Sequence, residues 1–592
     1  MDKRVLVTML AMLGFFLGVN ILYPMIFPPP PKSLVQKTQT QSSESALVTE
    51  ESLPAGSEPS VRTEDTLISS PVDQTSSGGE PVQLAPARDI TVKTPQYTAV
   101  ISEKGGRLIS LTLNDYLANK IRPDLPDYPQ QMINQLADQP GQSLALRLIS
   151  EDRNYVDLAG LNLTADRHEL TIGPDETGEL TLTGQTTRGL TVVKKFTFNA
   201  GSYLLGQKVL LKNESTGVYG GRLGMSLTAG PFSGRIGRYD SVAGFLGGKV
   251  FTANSEKAGS KLPADGELTR ADWLGYMNQY FLAALVLSGG DEAWQKPGDL
   301  RLQSFDKASG LVQVVVSYPL KLEPGRNSSY DFNVYYGPKQ TASLQEAGHN
   351  LGRSIDLGWF WFLANPLAWL LRQFYAIFGN YGVAIIIVTI LIKVALWPLT
   401  NKSYKSMKEM QKIQPLMATL REKYKDDREG MNREMMQLYR TYKINPLGGC
   451  LPMLLQIPFF IAFYRVLDYA LELRGAPFIL WIKDLSAPDR LFDFGVRVPF
   501  LDPPTGIPVM TLLMAGSMIW QQKMTPAMGD PMQAKMMMLM PVVFSVILLN
   551  MPAGLVLYWL VNNVLSIFQQ RLINRQKGKE KPGLPVRTKK KA

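Results

Sequence analysis

The C-terminal third of the chain carries five apolar runs, at residues 376–399, 447–470, 507–523, 534–550 and 552–573. Each has the length, about 17–25 residues, that an α-helix needs to cross hydrocarbon. Inside a bilayer no water satisfies a free N–H or C=O, so such runs must fold as helices bonded within themselves. The last two are separated only by a tight turn at Met551-Pro552. A sixth run, residues 5–27, follows Lys3 and Arg4 and ends at Pro28 to Pro31. It is long enough to span, and no small-x-small cleavage site follows it. Residues 1–27 therefore read as an uncleaved signal anchor with its basic end inside. A shorter run, 357–371, is rich in Trp (Trp359, Trp361, Trp369), is interrupted by Pro366 and is closed by Arg372 and Gln373. Residues 354–375 read as an amphipathic helix in the outer interface, a depth that Trp favours.

Charge orients the spans. The loop after the second span is dense in Lys and Arg (Lys402, Lys405, Lys408, Lys412, Arg421, Lys423 and others), as is the tail 574–592. The loop between 470 and 507 has only Arg474, Lys483, Arg490 and Arg497. The positive-inside rule puts the first loop, the tail and both termini in the cytoplasm. Everything between the first two spans then lies outside, in the periplasm of a two-membrane cell. Within the basic loop, 400–445, Met407, Met410, Met417, Leu420 and Tyr424 fall on one helical stripe, and Met431, Met435, Leu438 and Tyr442 on another. Asp426, Asp427 and Gly430 mark a turn between them. The pattern predicts an antiparallel helical hairpin with Pro415 bending its first arm.

The outer region divides in two. Residues 28–89 are rich in Ser, Thr, Gln, Glu and Pro, cannot bury enough surface to offset chain entropy, and read as a flexible tether. Residues 90–345 show short alternating runs at Tyr97–Ser102, 108–113, 180–182, 190–198, 203–211, 311–320 and 330–336, the mark of an antiparallel β-sandwich. The expected fold is a multi-pass α-helical membrane protein, an anchor plus a five-helix core 376–573, carrying a large extracytoplasmic all-β domain. With one cysteine, Cys450, and two histidines, His168 and His349, no disulfide or Cys metal cluster can form, and little remains for His chemistry. No Walker-type Gly-Lys-Ser/Thr motif is present. An enzyme is disfavoured, and neither metal nor cofactor is implied.

Polar residues concentrate in the cytoplasmic half of the spans. Lys393 lies one turn deeper than Trp397, Thr389 lies four residues deeper still, and Gln456 sits at similar depth in the third span. Gln521 ends the fourth, and Asn562, Asn563, Ser566 and Gln569 stud the last. A charge at the bilayer centre costs roughly 2.5–3.5 kcal/mol even on the mild insertion scale. Lys393 can snorkel, and the others can make ordinary interhelical hydrogen bonds. A cation among them favours a hydrophilic groove open to the cytoplasm and closed outside. Arg465 and Asp468, at the outer end of the third span, can pair one turn apart. Methionine is dense too: Met510, Met514 and Met518 recur every four residues, and more follow from Met524 to Met540. Such side chains suit core filling or an adaptable surface for varied apolar partners.

The sequence resembles the YidC family of membrane protein insertases in Asn-Pro-Leu-Gly-Gly-Cys at 445–450, Ala-Pro-Phe-Ile-Leu-Trp-Ile at 476–482, Gln-Lys-Met at 522–524, Asp-Pro-Met-Gln at 530–533 and Pro-Ala-Gly-Leu-Val-Leu-Tyr at 552–558. The resemblance implies a periplasmic β-super-sandwich similar to sugar-mutarotase folds, residence in a bacterial inner membrane, and insertion of nascent membrane proteins alone or beside the Sec translocon. Lys393 takes the place of the family's groove arginine, keeping the charge and losing the planar fork. Ile457, Pro458, Phe460, Phe544 and Tyr558 fall where the family's client-contacting residues lie. The loop 487–506 looks longer than usual. The basic tail and cytoplasmic loop could contact the ribosome by counterion release. A secondary transporter is the alternative, but it needs midplane groups and a path to both sides, whereas the polarity here lies mainly on one.

Overall fold

The computed structural model describes residues 87–575 apart from 118–128, 134–142, 151–154, 157, 233–238, 255–270, 288–298, 307–309, 425–426, 443–450, 493, 497, 499–500, 502–504 and 525–530. The anchor, nearly all of the tether, and the tail beyond Arg575 lie outside the described residues.

Among the described residues from Asp89 to Pro338 the regular elements are strands, in sheets of five, nine and five. The alternating runs fall inside strands: 190–198 in Leu190–Asn199, 203–211 largely in Leu204–Asn213, and 330–336 in Asn327–Pro338. These three neighbour one another in the nine-stranded sheet with antiparallel registers, Val192 against Leu211 and Val209 against Tyr330. One row of Leu190–Asn199 is buried, and it includes Lys194 between Val192 and Phe196. Its ammonium donates to the carbonyls of Gly105 (2.7 Å), Gly106 (3.0 Å) and Leu144 (2.8 Å), which is how a buried cation is satisfied without a counter-ion. Burial, with Arg107 nearby, pushes its pKa well below the ordinary lysine value. Gly105 and Gly106 turn the chain at φ of +73° and +54°, delivering both carbonyls to Lys194.

The described helices begin with α1 (Thr341–Ala347) and α2 (Trp361–Phe378). Contrary to the expected break, Pro366 is carried within α2, and the helix runs through Arg372 and Gln373 to Phe378. It stops where Gly379 turns left-handed (φ +62°), and Asn380 then caps α3, accepting from the Val383 amide at 3.2 Å. The first core span therefore starts at Tyr381 rather than 376. α3 (Tyr381–Lys423) runs unbroken past Leu399 through the first arm of the expected hairpin, with Pro398 and Pro415 inside it. α4 (Arg428–Thr441), capped by Asp427, forms the second arm. The arms meet through Met410, Ile413 and Met417 against Met435, Leu438 and Tyr439, so Tyr439 takes the inward place expected of Tyr442, which is exposed. Then follow α5 (Leu451–Tyr469), α6 (Val509–Met524), α7 (Pro531–Ile547) and α8 (Ala553–Arg575).

Ile390, Leu391, Val394, Leu512, Leu513, Val542, Val543, Val546, Val564 and Phe568 are exposed on these helices. A soluble bundle would not leave so much apolar surface outward, but a bilayer covers it. Among the described residues α3 is long and apolar enough to span, with a mean hydropathy of 2.4 in its most apolar stretch, while Met538–Asn550, the end of α7 with the turn after it, is shorter.

The β-domain grips the outer end of α5. Tyr239 donates to both carboxylate oxygens of Asp468 at 3.0 Å, and the Gln279 amide donates to the Asp468 carbonyl and, at 3.3 Å, to its carboxylate. Asp468 thus takes hydrogen bonds from the β-domain, and Arg465 lies over the Tyr469 ring. Leu471 is packed into the β-domain core.

Candidate functional site

Lys393 lies on α3 facing α8, 3 % exposed. Its ammonium donates to Ser566 Oγ at 2.6 Å and Asn562 Oδ1 at 3.3 Å. Both acceptors are neutral. Asn562 and Ser566 are four apart on α8, so one face presents both. Ser566 in turn donates to the Asn562 carbonyl (2.7 Å). Thr389 is buried, and its hydroxyl donates to the Ile385 carbonyl of its own helix (2.6 Å).

A polar seam continues towards the cytoplasm. Thr400 on α3 and Gln569 on α8 exchange hydrogen bonds (2.9 and 3.3 Å). Tyr404 of α3 and Gln570 of α8 are both buried further along the seam. Lys408 donates to the carbonyls of Ile573 (3.2 Å) and Asn574 (3.3 Å), capping the C-terminus of α8. A small cavity opens at this level, lined by Tyr404, Met407, Lys408, Gln411, Met524, Gln570 and Asn574. On the other side of α8, Asn563 donates to Ser517 of α6 (3.1 Å).

Of the expected polar set, Lys393, Asn562 and Ser566 meet between α3 and α8, and Asn563 reaches Ser517 of α6. Gln456 on α5 and Gln521 on α6 are half-buried and do not reach Lys393. The expected client-contact residues divide. Tyr558 is buried, edge-on to Phe463 with centroids 5.0 Å apart, and Phe460 and Phe544 both pack on Trp559, at 4.6 and 4.5 Å. Ile457 and Pro458 are half-buried on α5. Met510 and Met514 are core filling, whereas Met538 and Met540 are exposed.

The loop before α6 is tied to the helix ends around it. The buried Asp489 carboxylate accepts from the Trp481 indole (2.6 Å) and from the backbone amides of Met510 and Thr511 (3.3 Å for the latter), capping α6. Arg490 donates to the Leu549 carbonyl (2.9 Å) and to Asn550 (3.0 Å) at the end of α7.

Residues 89–370 match the family description YidC periplasmic domain, and 373–581 match 60Kd inner membrane protein. A membrane protein insertase YidC from Pelobacter propionicus is 38 % identical over 97 % of this chain and 99 % of its own. The chain belongs to the YidC family of membrane protein insertases. Another member, from Syntrophobacter fumaroxidans, is 41 % identical over 82 % of this chain and 86 % of its own. A crystal structure of an active YidC insertase with its first transmembrane domain resolved aligns over 82 % of this chain and 92 % of its own, at 17 % identity and a TM-score of 0.34. A putative aldose 1-epimerase from Escherichia coli K12 covers 43 % of this chain and 99 % of its own, at 8 % identity and a TM-score of 0.28. As a YidC-family insertase the protein is a membrane protein with a periplasmic domain, and membrane-protein clients and lipid are its partners.

Sequence reading missed Thr400, Tyr404, Gln570 and Ser517 in the YidC-family core. A signal for three of them existed. Thr400 lies seven residues from Lys393, Ser517 seven from Met510, and Gln570 four from Ser566, so each shares a helix face with a residue already singled out.

Proposed function

We propose that this insertase accepts the polar segment of a client at the α3–α8 seam, using Lys393 as a positive docking point in a hydrophilic groove open to the cytoplasm. The observation that carries this reading is a buried cation within a spanning bundle whose hydrogen-bond acceptors are both neutral. Such a cation costs free energy in hydrocarbon, and a client carboxylate would supply the missing opposite charge. The polar steps from Lys408 through Thr400 to Lys393 support an approach from the cytoplasmic side. Meanwhile the client's apolar helix slides along Ile457, Pro458 and the aromatic group of Phe460, Phe544 and Tyr558 into lipid. Both termini are cytoplasmic in this reading, which follows the Lys/Arg asymmetry. The insertase works alone or beside the Sec translocon and helps its clients fold. The basic loop and tail meet the ribosome.

The test is insertion of a matched client pair differing only in acidic residues of the translocated segment. Lys393→Arg keeps the charge and supports both clients. Lys393→Ala impairs the acidic client, and Lys393→Glu impairs it further by turning attraction into repulsion. Equal behaviour of the pair in all three variants refutes the electrostatic role.

A further inference from the structure

The loop between α5 and α6 has a part that the groove does not use. Leu491 and Ile507 exchange backbone hydrogen bonds at 2.8 and 2.9 Å, the Phe494 amide donates to Thr505 O (2.6 Å), and the Thr505 hydroxyl donates to Val496 O (2.6 Å). The described residues of 491–496 thus pair with 505–507 as two arms of a ribbon. On the first arm Phe492, Phe494 and Val496 are exposed by 69 %, 50 % and 61 %. Phe492 is held at φ +59°, a region bulky side chains rarely occupy and one that persists only where the surroundings impose it. The carbonyl of Phe492 fills the space a side chain on Gly506 would need, so glycine there lets the two arms close. The ribbon is built to display these side chains, not to bury them.

Its base is fixed at the outer ends of the spans. Ile507 lies two residues before α6 begins, and Pro488 bridges to Pro552 at the start of α8. Below it on α6, Leu512 and Leu513 are exposed by 57 % and 55 %, surface that lipid covers in a membrane insertase. The ribbon leads straight into the outer end of this helix. We propose that Phe492, Phe494 and Val496 insert into the outer leaflet at the boundary of headgroups and acyl chains, anchoring this loop on phospholipid. Aromatic and aliphatic side chains favour that depth, and a ribbon serving only as a water-exposed turn has no use for three large apolar residues turned outward.

The experiment replaces Phe494 with the near-isosteric photo-crosslinker p-benzoylphenylalanine in the full chain, reconstituted in vesicles of phosphatidylethanolamine and phosphatidylglycerol. Adducts are identified by mass spectrometry. The same probe at 512 reports lipid, and at the exposed β-domain position 218 it reports water. Burying one aromatic ring favours the apolar side by about tenfold or more. The expected lipid adduct at 494 is therefore close to that at 512 and about tenfold above that at 218. A probe at 496 repeats the measurement with both phenylalanines intact. Lipid adducts at 494 and 496 no higher than at 218 overturn the proposal, as do crosslinks mainly to a second copy or to a client polypeptide.

Discussion

Asp489 is the residue whose removal should most clearly loosen the outer face of the core. Replacing it with Ala deletes the cap of α6 and the acceptor for the Trp481 indole. Loss of a helix cap costs about 1 kcal/mol. Loss of a hydrogen bond to a charged acceptor costs roughly 1.5 kcal/mol, the low end of its range because Trp481 is only half-buried. Together they remove about 2–3 kcal/mol from the opening of the first turn of α6. At about 1.4 kcal/mol per decade, the amides of Met510 and Thr511 should exchange with deuterium roughly thirty- to a hundredfold faster. Asp489→Asn should fall between, because one carbonyl oxygen can serve the indole or the backbone amides but not both. The pairwise part is isolated by Trp481→Phe. In that background Asp489→Ala should cost about 1 kcal/mol less than in the wild type. Hydrogen exchange in detergent micelles, read by mass spectrometry over 507–515, measures all four variants. Unchanged protection of Met510 and Thr511 in Asp489→Ala would refute the capping argument, and full additivity with Trp481→Phe would refute the indole link.

Two other outcomes are expected. Lys339 is buried against Asn278 O (3.1 Å) and the Tyr469 ring, and burial lowers its pKa to about 7, although Asp356 and Asp468 pull it back upward. The unfolded chain therefore binds more protons between pH 7 and the ordinary lysine value, and stability rises with pH across that window. The gain is lost as pH falls towards 7. Melting followed from pH 7 to 10 should show this rise in the wild type and a flatter profile in Lys339→Met; identical slopes would refute it. Asp468→Ala removes the acceptor for Tyr239 and Gln279, and hydrogen bonds to a charge are worth about 1.5–3 kcal/mol each when buried. Proteolysis of the 278–281 turn should accelerate while the strands 190–199 and 204–213 stay resistant; an unchanged cleavage rate would show that Asp468 does not hold the domains together.

The strands were legible because a period of two survives burial of one face. Lys194 was legible in principle: Leu190, Val192, Lys194, Phe196 and Phe198 alternate, and that alternation places the lysine in the core row. The cluster around Lys393 was legible because polar residues in apolar helices have few cheap alternatives to one another. The break at Gly379-Asn380 carried a standard stop-and-start signal that the hydrophobic run obscured. The grip on Asp468 was not legible, because Tyr239 and Gln279 lie 229 and 189 residues away and no local periodicity links them. Asp489 and Arg490 sit in a loop, where caps are decided by which helix ends happen to converge.

The continuity of α3 makes it a lever. Its 43 residues extend about 65 Å. Near its outer end, Asn380 donates to the Phe478 carbonyl (3.1 Å), and the Phe478 ring fills the space above Gly382. With that end as fulcrum, Lys393 lies about 18 Å along the arm, and the tip at Lys423 lies about 45 Å beyond it. A sideways push of about 5 Å at the tip, from whatever docks on the hairpin, moves a rigid arm by about 1.5 Å at Lys393, enough to break its bond to Ser566. Pro398, which cannot donate to the Val394 carbonyl, is where the arm bends most easily and where part of the stroke is absorbed. The stiffness of the helix between Lys393 and Pro398 therefore sets how strongly events in the cytoplasm are felt by the buried charge.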